Sequence, residues 1–199
     1  MKALRMAVLM TFAAGSSMAA EKIRVDVYMN GHDESSALLG PGKPLASSLF
    51  DKIGVKLVLH EGDRPPGAAG YAVRTLERAP ASASAEALAG TQIAGAEPGA
   101  IVIYKDRVSH FLIDHESLKS TAAGYVLAHE LAHAIQGVPR HSDFGIMKAH
   151  WSTDDFKDMV FVRVLFAPID VELIHRSLLP VASKSSSPPS QQPGPRNEK

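Results

Sequence analysis

Two histidines and a glutamate form the part of this sequence best suited to metal chemistry. The segment LAHELAHAIQG contains His129, Glu130 and His133, so the two imidazoles stand four residues apart. Residues four apart lie one above the other on an α-helix, and both rings can therefore direct a nitrogen at one point. A zinc ion about 2.0 to 2.1 Å from each nitrogen fits between them. The spacing predicts two ligands of one metal ion.

A third ligand must come from outside this helix face. Gly137 permits the left-handed backbone that ends a helix, and Pro139 follows in a turn that can bring the chain back. We expect His141 to complete the set, because three protein ligands leave a fourth tetrahedral position for water, which is the catalytic arrangement. A histidine or an acidic residue further along is the alternative third ligand, and the alternatives are His150, Asp154, Asp155 and Glu172.

Glu130 is predicted to act as a general base. It lies about 100° around the helix from His129, too far to share the ion comfortably but close enough to touch a metal-bound water. Met147 is predicted to pack in the core, because methionine fills irregular apolar gaps. Candidates to stabilise a tetrahedral oxyanion, each equally explicable as a packing or surface residue, are Tyr104, Tyr125 and His150.

The predicted site helix is apolar on nearly every side. It runs from a predicted N-cap at Ser120 or Thr121 to Gly137. A helix of this kind lies inside a domain, so its polar residues need partners there. The HExxH pattern also occurs by chance on surface helices, and histidines can simply satisfy each other. A buried helix with a glycine stop and a further histidine favours the metal site.

The rest of the chain predicts an α+β domain. Strands are predicted at 23–28 and 55–59, with a helix over 45–53 between them, so the two strands should pair in parallel. Segment 60–98 is rich in Gly, Ala, Pro and Ser, and we expect loops there with a short strand or helix. A further strand is predicted at 100–104.

Two helices are predicted after the histidine-rich segment. One begins near Trp151, where Ser152 and two aspartates follow, and the other spans 168–179. The second helix is amphipathic, and its predicted inner stripe consists of Ile169, Leu173, Ile174 and Leu178.

The two ends of the chain are predicted to lie outside the folded domain. Residues 1–19 combine Lys2 and Arg5 with an apolar run and a small-residue cleavage pattern, which is typical of a signal peptide. Residues 184–199 are dominated by Ser, Pro and Gln and are predicted to be a disordered tail. The folded domain is then 20–183, exported to a bacterial periplasm or to the medium, with no stable membrane association once the signal is cleaved.

The composition of the chain limits the classes of binding partner that it can have. The 21 basic residues equal the 21 acidic ones, which disfavours a nucleic-acid partner, since nucleic-acid binding needs a basic surplus. The chain has no cysteine, so an exported form has no disulfides and no thiolate to mask a metal. We expect a monomer that acts on a peptide or protein.

The segment HELAHAIQGVPRHSDFGIM resembles the signature of the metzincin superfamily of zinc endopeptidases. Their signature is HExxHxxGxxH followed by a turn that carries a methionine beneath the metal. The variant here is HExxHxxxGxxxHSxxGIM, in which each interval around the glycine is one residue longer. It is similar to a pattern in a group of exported bacterial proteins regarded as metalloproteases. The resemblance implies that His129, His133 and His141 are the zinc ligands and that Glu130 is the base. It also implies that Gly137 is the turn glycine and Met147 the turn methionine.

The resemblance also implies an architecture and an activity. The architecture is a single zincin-like domain, in which a twisted mixed sheet of four or five strands packs on two main helices and a C-terminal helix follows. An extended peptide would pair with an edge strand, either 100–104 or its neighbour. The implied activity is zinc-dependent peptide hydrolysis. The alternatives are a secreted zinc protein that binds peptides without cleaving them, and an amide hydrolase of the cell wall.

Overall fold

The described part of the chain forms one mixed sheet with helices packed on it. A computed structural model describes residues 21–30, 38–85, 87–92, 100–113 and 118–179. The predicted signal peptide at 1–19 and the predicted tail at 184–199 lie outside the described residues. Among the described residues, no helix has the length and apolar character needed to cross a membrane.

The sheet has five strands in the described part of the chain. They are β1 (Ile23–Met29), β2 (Val55–Glu61), β3 (Tyr71–Leu76), β4 (Ala89–Gln92) and β5 (Ala100–Tyr104). Their order across the sheet is β2-β1-β3-β5-β4. Four strands run parallel, whereas β4 pairs antiparallel with β5 at one edge. The predicted α+β class, the mixed sheet and the parallel pairing of the first two strands are confirmed.

Segment 60–98 contains more strand than predicted. Both β3 and β4 fall within it, and β2 extends into it as far as Glu61. Ala72 and Val73 of β3 are buried between β1 and β5, so pairing and burial outweigh the weak strand propensity of the surrounding sequence. The strand at 100–104 is interior, and the edge of the sheet on this side is its neighbour β4.

The α-helices in the described residues are α1 (Lys43–Asp51), α2 (Lys105–Ile113), α3 (Lys119–Gln136), α4 (Thr153–Val160) and α5 (Pro168–Leu178). The pattern of the sequence did not predict α2. The predicted N-cap of α3 at Ser120 or Thr121 is wrong, because the helix begins at Lys119 and no side chain caps it. The helix start near Trp151 is confirmed, since Ser152 and Asp155 form a reciprocal capping box at the start of α4.

The inner face of α5 differs from the predicted stripe. Ile174 is fully buried and Leu178 packs against the core, but Ile169 is 46% exposed. The neighbouring Asp170 is fully buried instead. Consecutive residues of a helix point about 100° apart. With Asp170 facing the interior, Ile169 faces the solvent.

Helix α3 is the centre of the molecule. From Ala122 to Gln136 every residue except Glu130 is buried, as expected for a helix that is apolar all round. Its N-terminal half lies directly against the turn that precedes α1. A Cβ built on Gly42 would stand 2.3 Å from the backbone nitrogen of Gly124, and one built on Gly124 would stand 2.9 Å from the carbonyl oxygen of Gly42.

Candidate metal centre

Three histidine side chains converge at one point beside α3. The Nε2 atom of His133 lies 3.0 Å from Nε2 of His129 and 3.3 Å from Nε2 of His141. Ligands of one tetrahedral zinc ion stand about 3.3 Å apart, given a Zn–N distance of about 2.0 to 2.1 Å. Within the described residues, these three histidines form a group whose ligand atoms are close enough to bind a metal ion.

The backbone at the end of α3 brings His141 to this point. Gly137 adopts the left-handed conformation with φ at +67°, and its N–H donates to the carbonyl of His133. The helix therefore stops one turn after His133, as the sequence predicts, and the chain returns through residues 138–140. His141 is the most exposed of the three histidines, whereas His129 and His133 are each 8% exposed.

Hydrogen bonds set the orientation of two of the rings. Nδ1 of His129 lies 2.8 Å from the carbonyl oxygen of Ile146, and Nδ1 of His133 lies 3.4 Å from that of Val138. A carbonyl only accepts, so the proton of each ring is on Nδ1 and the Nε2 lone pair points at the other imidazoles. Lone pairs that face each other at about 3 Å are satisfied by a shared cation. The donor set therefore fits a metal ion.

Partial loss of hydration favours the neutral form of all three imidazoles. Loss of hydration lowers the pKa of His129 to about 3, with the neighbouring His133 acting in the same direction. Loss of hydration also lowers the pKa of His133 and of His141. A metal binds the neutral imidazole, so at neutral pH no proton has to be displaced from these rings.

Glu130 borders the same site and has one side-chain partner. The hydroxyl of Thr91 on the edge strand β4 donates to Oε2 of Glu130 at 3.3 Å. Shielding from bulk water raises the pKa of Glu130 to about 7, and the bond from Thr91 acts weakly in the opposite direction. A carboxyl group with this pKa is suited to taking up and releasing a proton near neutral pH.

The loop after His141 is held by two backbone hydrogen bonds and packs against the site. The N–H of Ser142 donates to the carbonyl of Met147 at 2.8 Å, and the N–H of Ile146 donates to the carbonyl of Leu165 at 3.0 Å. Met147 is fully buried, as predicted. The loop closed in this way carries the Ile146 carbonyl that accepts from His129.

The site opens into a cleft of about 640 Å³. The three histidines and Glu130 form its floor. Its apolar wall consists of Leu88, Phe111, Val126 and Trp151, and Thr91, Lys148 and His150 lie on its polar side. This arrangement gives the metal site access to solvent and to a ligand.

The alternative third ligands lie elsewhere or have other partners. Three acidic residues are held by cations, in the pairs Asp154 with Lys157, Asp155 with Lys148 and Glu172 with Arg176. His150 lines the cleft but does not belong to the group of convergent histidines. His141 is therefore the residue that completes the triangle.

The surroundings of the three oxyanion candidates decide which of them can reach a ligand in the cleft. The hydroxyl of Tyr125 is buried and donates to the carbonyl of Val164 at 3.1 Å, so Tyr125 is wrong as a candidate. Tyr104 is buried in the sheet and does not line the cleft. His150 is the candidate that lies in the cleft.

Sequence reasoning missed two features of the site. Thr91 lies in a segment with no periodic pattern, so nothing in the sequence indicated that its hydroxyl would reach Glu130. A buried network of Arg140, Ser142 and Asp170 lies behind His141. A signal for it existed, because Asp170 stands four residues before the buried Ile174 and therefore shares its helix face.

Comparison of the sequence with known protein families and with curated proteins gives no match.

Proposed function

We propose that this chain is an exported zinc metallopeptidase with a zincin-like, metzincin-like domain. The observation that supports the proposal is the convergence of three neutral imidazoles beside a carboxyl group at the floor of an open cleft. A structural zinc site closes its shell with four protein ligands, whereas three ligands next to a cleft are typical of a catalytic site.

Zinc is the metal that these ligands favour. Three imidazole nitrogens suit zinc better than the hard cations calcium and magnesium, which prefer oxygen ligands. His129, His133 and His141 would hold the ion. When bound, zinc supplies a water of lowered pKa and polarises the carbonyl of the substrate.

Glu130 is the proposed general base. It follows His129 directly on α3 and faces the cleft, so its carboxylate can accept a proton from the attacking water. The same carboxyl group can then donate that proton to the leaving amine. The bond from Thr91 holds one carboxylate oxygen toward the edge strand, which leaves the other oxygen available for the water.

A peptide is the substrate that the cleft fits. The antiparallel edge strand β4 forms one rim, and the backbone groups along its outer side can pair with an extended chain. The apolar wall can take an apolar side chain of that peptide, since burial of such a side chain contributes about 1.5 to 3 kcal/mol. His150 is positioned on the polar side, where it can donate to a developing oxyanion.

The proposal includes export to the periplasm or medium. It rests on the sequence of residues 1–19, which resembles a signal peptide. Expression of the full chain in a bacterium, followed by N-terminal sequencing of the protein from the periplasm, is expected to give a chain that begins at Ala20. Retention of Met1 in the cytoplasm would contradict this part of the proposal.

The decisive experiment compares the wild-type protein with Glu130→Gln. Each protein is loaded with zinc, its metal content is measured, and a peptide library is digested with and without a chelator. We expect equal zinc content and a loss of cleavage in Glu130→Gln, because the amide cannot accept the proton. The matched control is Glu172→Gln, which changes an exposed glutamate on α5 and should leave both quantities unchanged. Cleavage by Glu130→Gln at the wild-type rate would reject Glu130 as the base.

The same experiment separates the enzyme from its alternatives. A protein that only binds peptides would hold zinc and cleave nothing in the wild-type form. An amide hydrolase of the cell wall would leave the peptide library intact but release fragments from purified peptidoglycan in a zinc-dependent way.

A further inference from the structure

A buried carboxylate on α5 is bonded to the residues on both sides of His141. Nη1 of Arg140 donates to Oδ1 of Asp170 at 2.6 Å, and the hydroxyl of Ser142 lies 2.8 and 2.9 Å from the two carboxylate oxygens. Nη2 of Arg140 also donates to the hydroxyl oxygen of Ser142 at 3.1 Å. Each of the three side chains therefore contacts the other two.

Stability alone is a weak reason for such a network. Asp170 has no exposed surface, and a buried carboxylate loses its hydration, a cost that its bonds only partly offset. Apolar residues of similar volume in place of all three side chains would commonly give an equally stable fold, although removal of Asp170 alone would leave its two partners unsatisfied. The position of the partners is more informative, because Arg140 and Ser142 are the two sequence neighbours of His141.

His141 differs from the other two histidines in how it is held. His129 and His133 each have an Nδ1 bond to a backbone carbonyl. Among the contacts of the described residues, His141 has a bond from Nε2 to His133 but none that holds its Nδ1. The orientation of its ring must therefore come from the backbone that carries it.

We propose that Asp170 is a positioning residue for the metal centre, which holds His141 in place through Arg140 and Ser142. This inference rests on the proposed metal site. The carboxylate fixes the residue before His141 and the residue after it to α5, so the backbone at His141 is anchored on both sides. Ser142 also donates its N–H to the carbonyl of Met147, so the same anchor reaches the loop that supports His129.

The test measures zinc affinity by competition with a chelating dye. The variants are Asp170→Asn and Ser142→Ala, and Glu172→Gln serves as the matched control on the same helix. Loss of a group that orients a metal ligand typically weakens metal binding about 10-fold to 100-fold, which we expect for Asp170→Asn. Ser142→Ala removes the hydroxyl that donates to Asp170 and accepts from Arg140, and a loss of about 1 kcal/mol at the metal site would weaken binding about fivefold. Glu172→Gln is expected to bind zinc like the wild-type protein.

A double-mutant cycle separates positioning from general destabilisation. If Asp170 acts mainly through His141, most of the effect of Asp170→Asn on zinc affinity disappears in a His141→Ala background. An equal loss with and without His141 would overturn the proposal, as would unchanged affinity in both Asp170→Asn and Ser142→Ala. Should Asp170→Asn fail to fold, the same comparison is made with Ser142→Ala in the wild-type and His141→Ala backgrounds.

A measurement on the metal-free protein distinguishes this inference from the proposed function. The ring centroids of His133 and His141 lie 4.9 Å apart, close enough for a nuclear Overhauser effect between their protons. We expect this signal in the wild-type protein and in Glu172→Gln, and its loss in Asp170→Asn and Ser142→Ala. A wild-type protein that does not bind zinc but shows this pattern would reject the metal site and retain the positioning role. Persistence of the signal in both variants would overturn the positioning role.

Discussion

Nδ1 of His129 donates a hydrogen bond to the carbonyl of Ile146, although the two residues are 17 positions apart. This bond joins the middle of α3 to the residue just before Met147. It fixes both the proton and the orientation of the ring, so Nε2 of His129 faces the other two imidazoles. The buried loop thereby orients His129 toward the point where the three histidines converge.

Zinc is expected to stabilise the folded protein. A ligand that binds only the native state at 100 times its dissociation constant contributes about 2.7 kcal/mol to the free energy of unfolding. Thermal unfolding with added zinc and with a chelator measures the effect as a shift in Tm. The shift should be much smaller in His141→Ala, which retains two of the three ligands. An equal shift in both proteins would exclude His141 as a ligand.

Gly137→Ala is expected to weaken both the fold and the metal site. The φ of +67° at this residue is unfavourable for alanine, which costs about 1 to 2 kcal/mol, and relief of the strain displaces the turn that leads to His141. Gly54→Ala is the matched control, since Gly54 has a φ of +76° and, among the described residues, an added Cβ at either glycine meets nothing within 4 Å beyond its chain neighbours. Chemical unfolding should show similar losses of stability in the two variants, whereas dye competition should show weaker zinc binding in Gly137→Ala alone.

Met147 is expected to contribute through packing and not through its sulfur. Its side chain is fully buried, so Met147→Ala should lower the free energy of unfolding by about 2 to 5 kcal/mol. Met147→Leu nearly conserves the volume and should cost less than about 1.5 kcal/mol. Urea unfolding of both variants measures these losses. Zinc affinity in Met147→Leu should match the wild-type value, and a tenfold loss there would assign the sulfur a direct role.

Asp26 is expected to make stability depend on pH at the acidic end. Bonds from Arg24 and then His60 lower the pKa of Asp26 from 3.8 to about 2. A carboxylate with a lowered pKa in the folded state stabilises the fold above about pH 4, and this contribution is lost as the pH falls toward 2. Urea unfolding at pH 7, 4 and 2.5 should show that Asp26→Asn is less stable than the wild-type protein at neutral pH. A difference that stays constant down to pH 2.5 would contradict this origin.

The convergence of the three histidines was largely predictable because its signals are local. The spacing of His129 and His133, the glycine that ends their helix and the apolar surroundings all lie within one short segment. The position of His141 could be proposed because a left-handed glycine leaves few paths for the next four residues. These predictions depend on helix geometry, which is the same in every protein.

The features that the sequence did not predict depend on contacts between segments far apart in the chain. β4 consists of Ala, Gly, Thr and Gln, which gave little indication of a strand, and it forms because β5 pairs with it. Tyr71, Val73 and Thr75 of β3 favour a strand, but the Gly-rich and Pro-rich sequence around them obscured this short signal. The inner face of α5 was predicted from hydrophobic residues alone, so the buried Asp170 was missed. Its partner Arg140 is 30 residues away, and no local pattern joins the two.

The contact between Gly42 and Gly124 determines how far α3 can move. At this point the two backbones are in direct contact, so the helix cannot come any closer to the turn. Repacking of side chains elsewhere in the interior can be absorbed by small rotamer changes, but a methyl group at either glycine would push the helix away from the turn. The closest approach of this turn to the helix that carries His129 and His133 is thus set by main-chain steric exclusion.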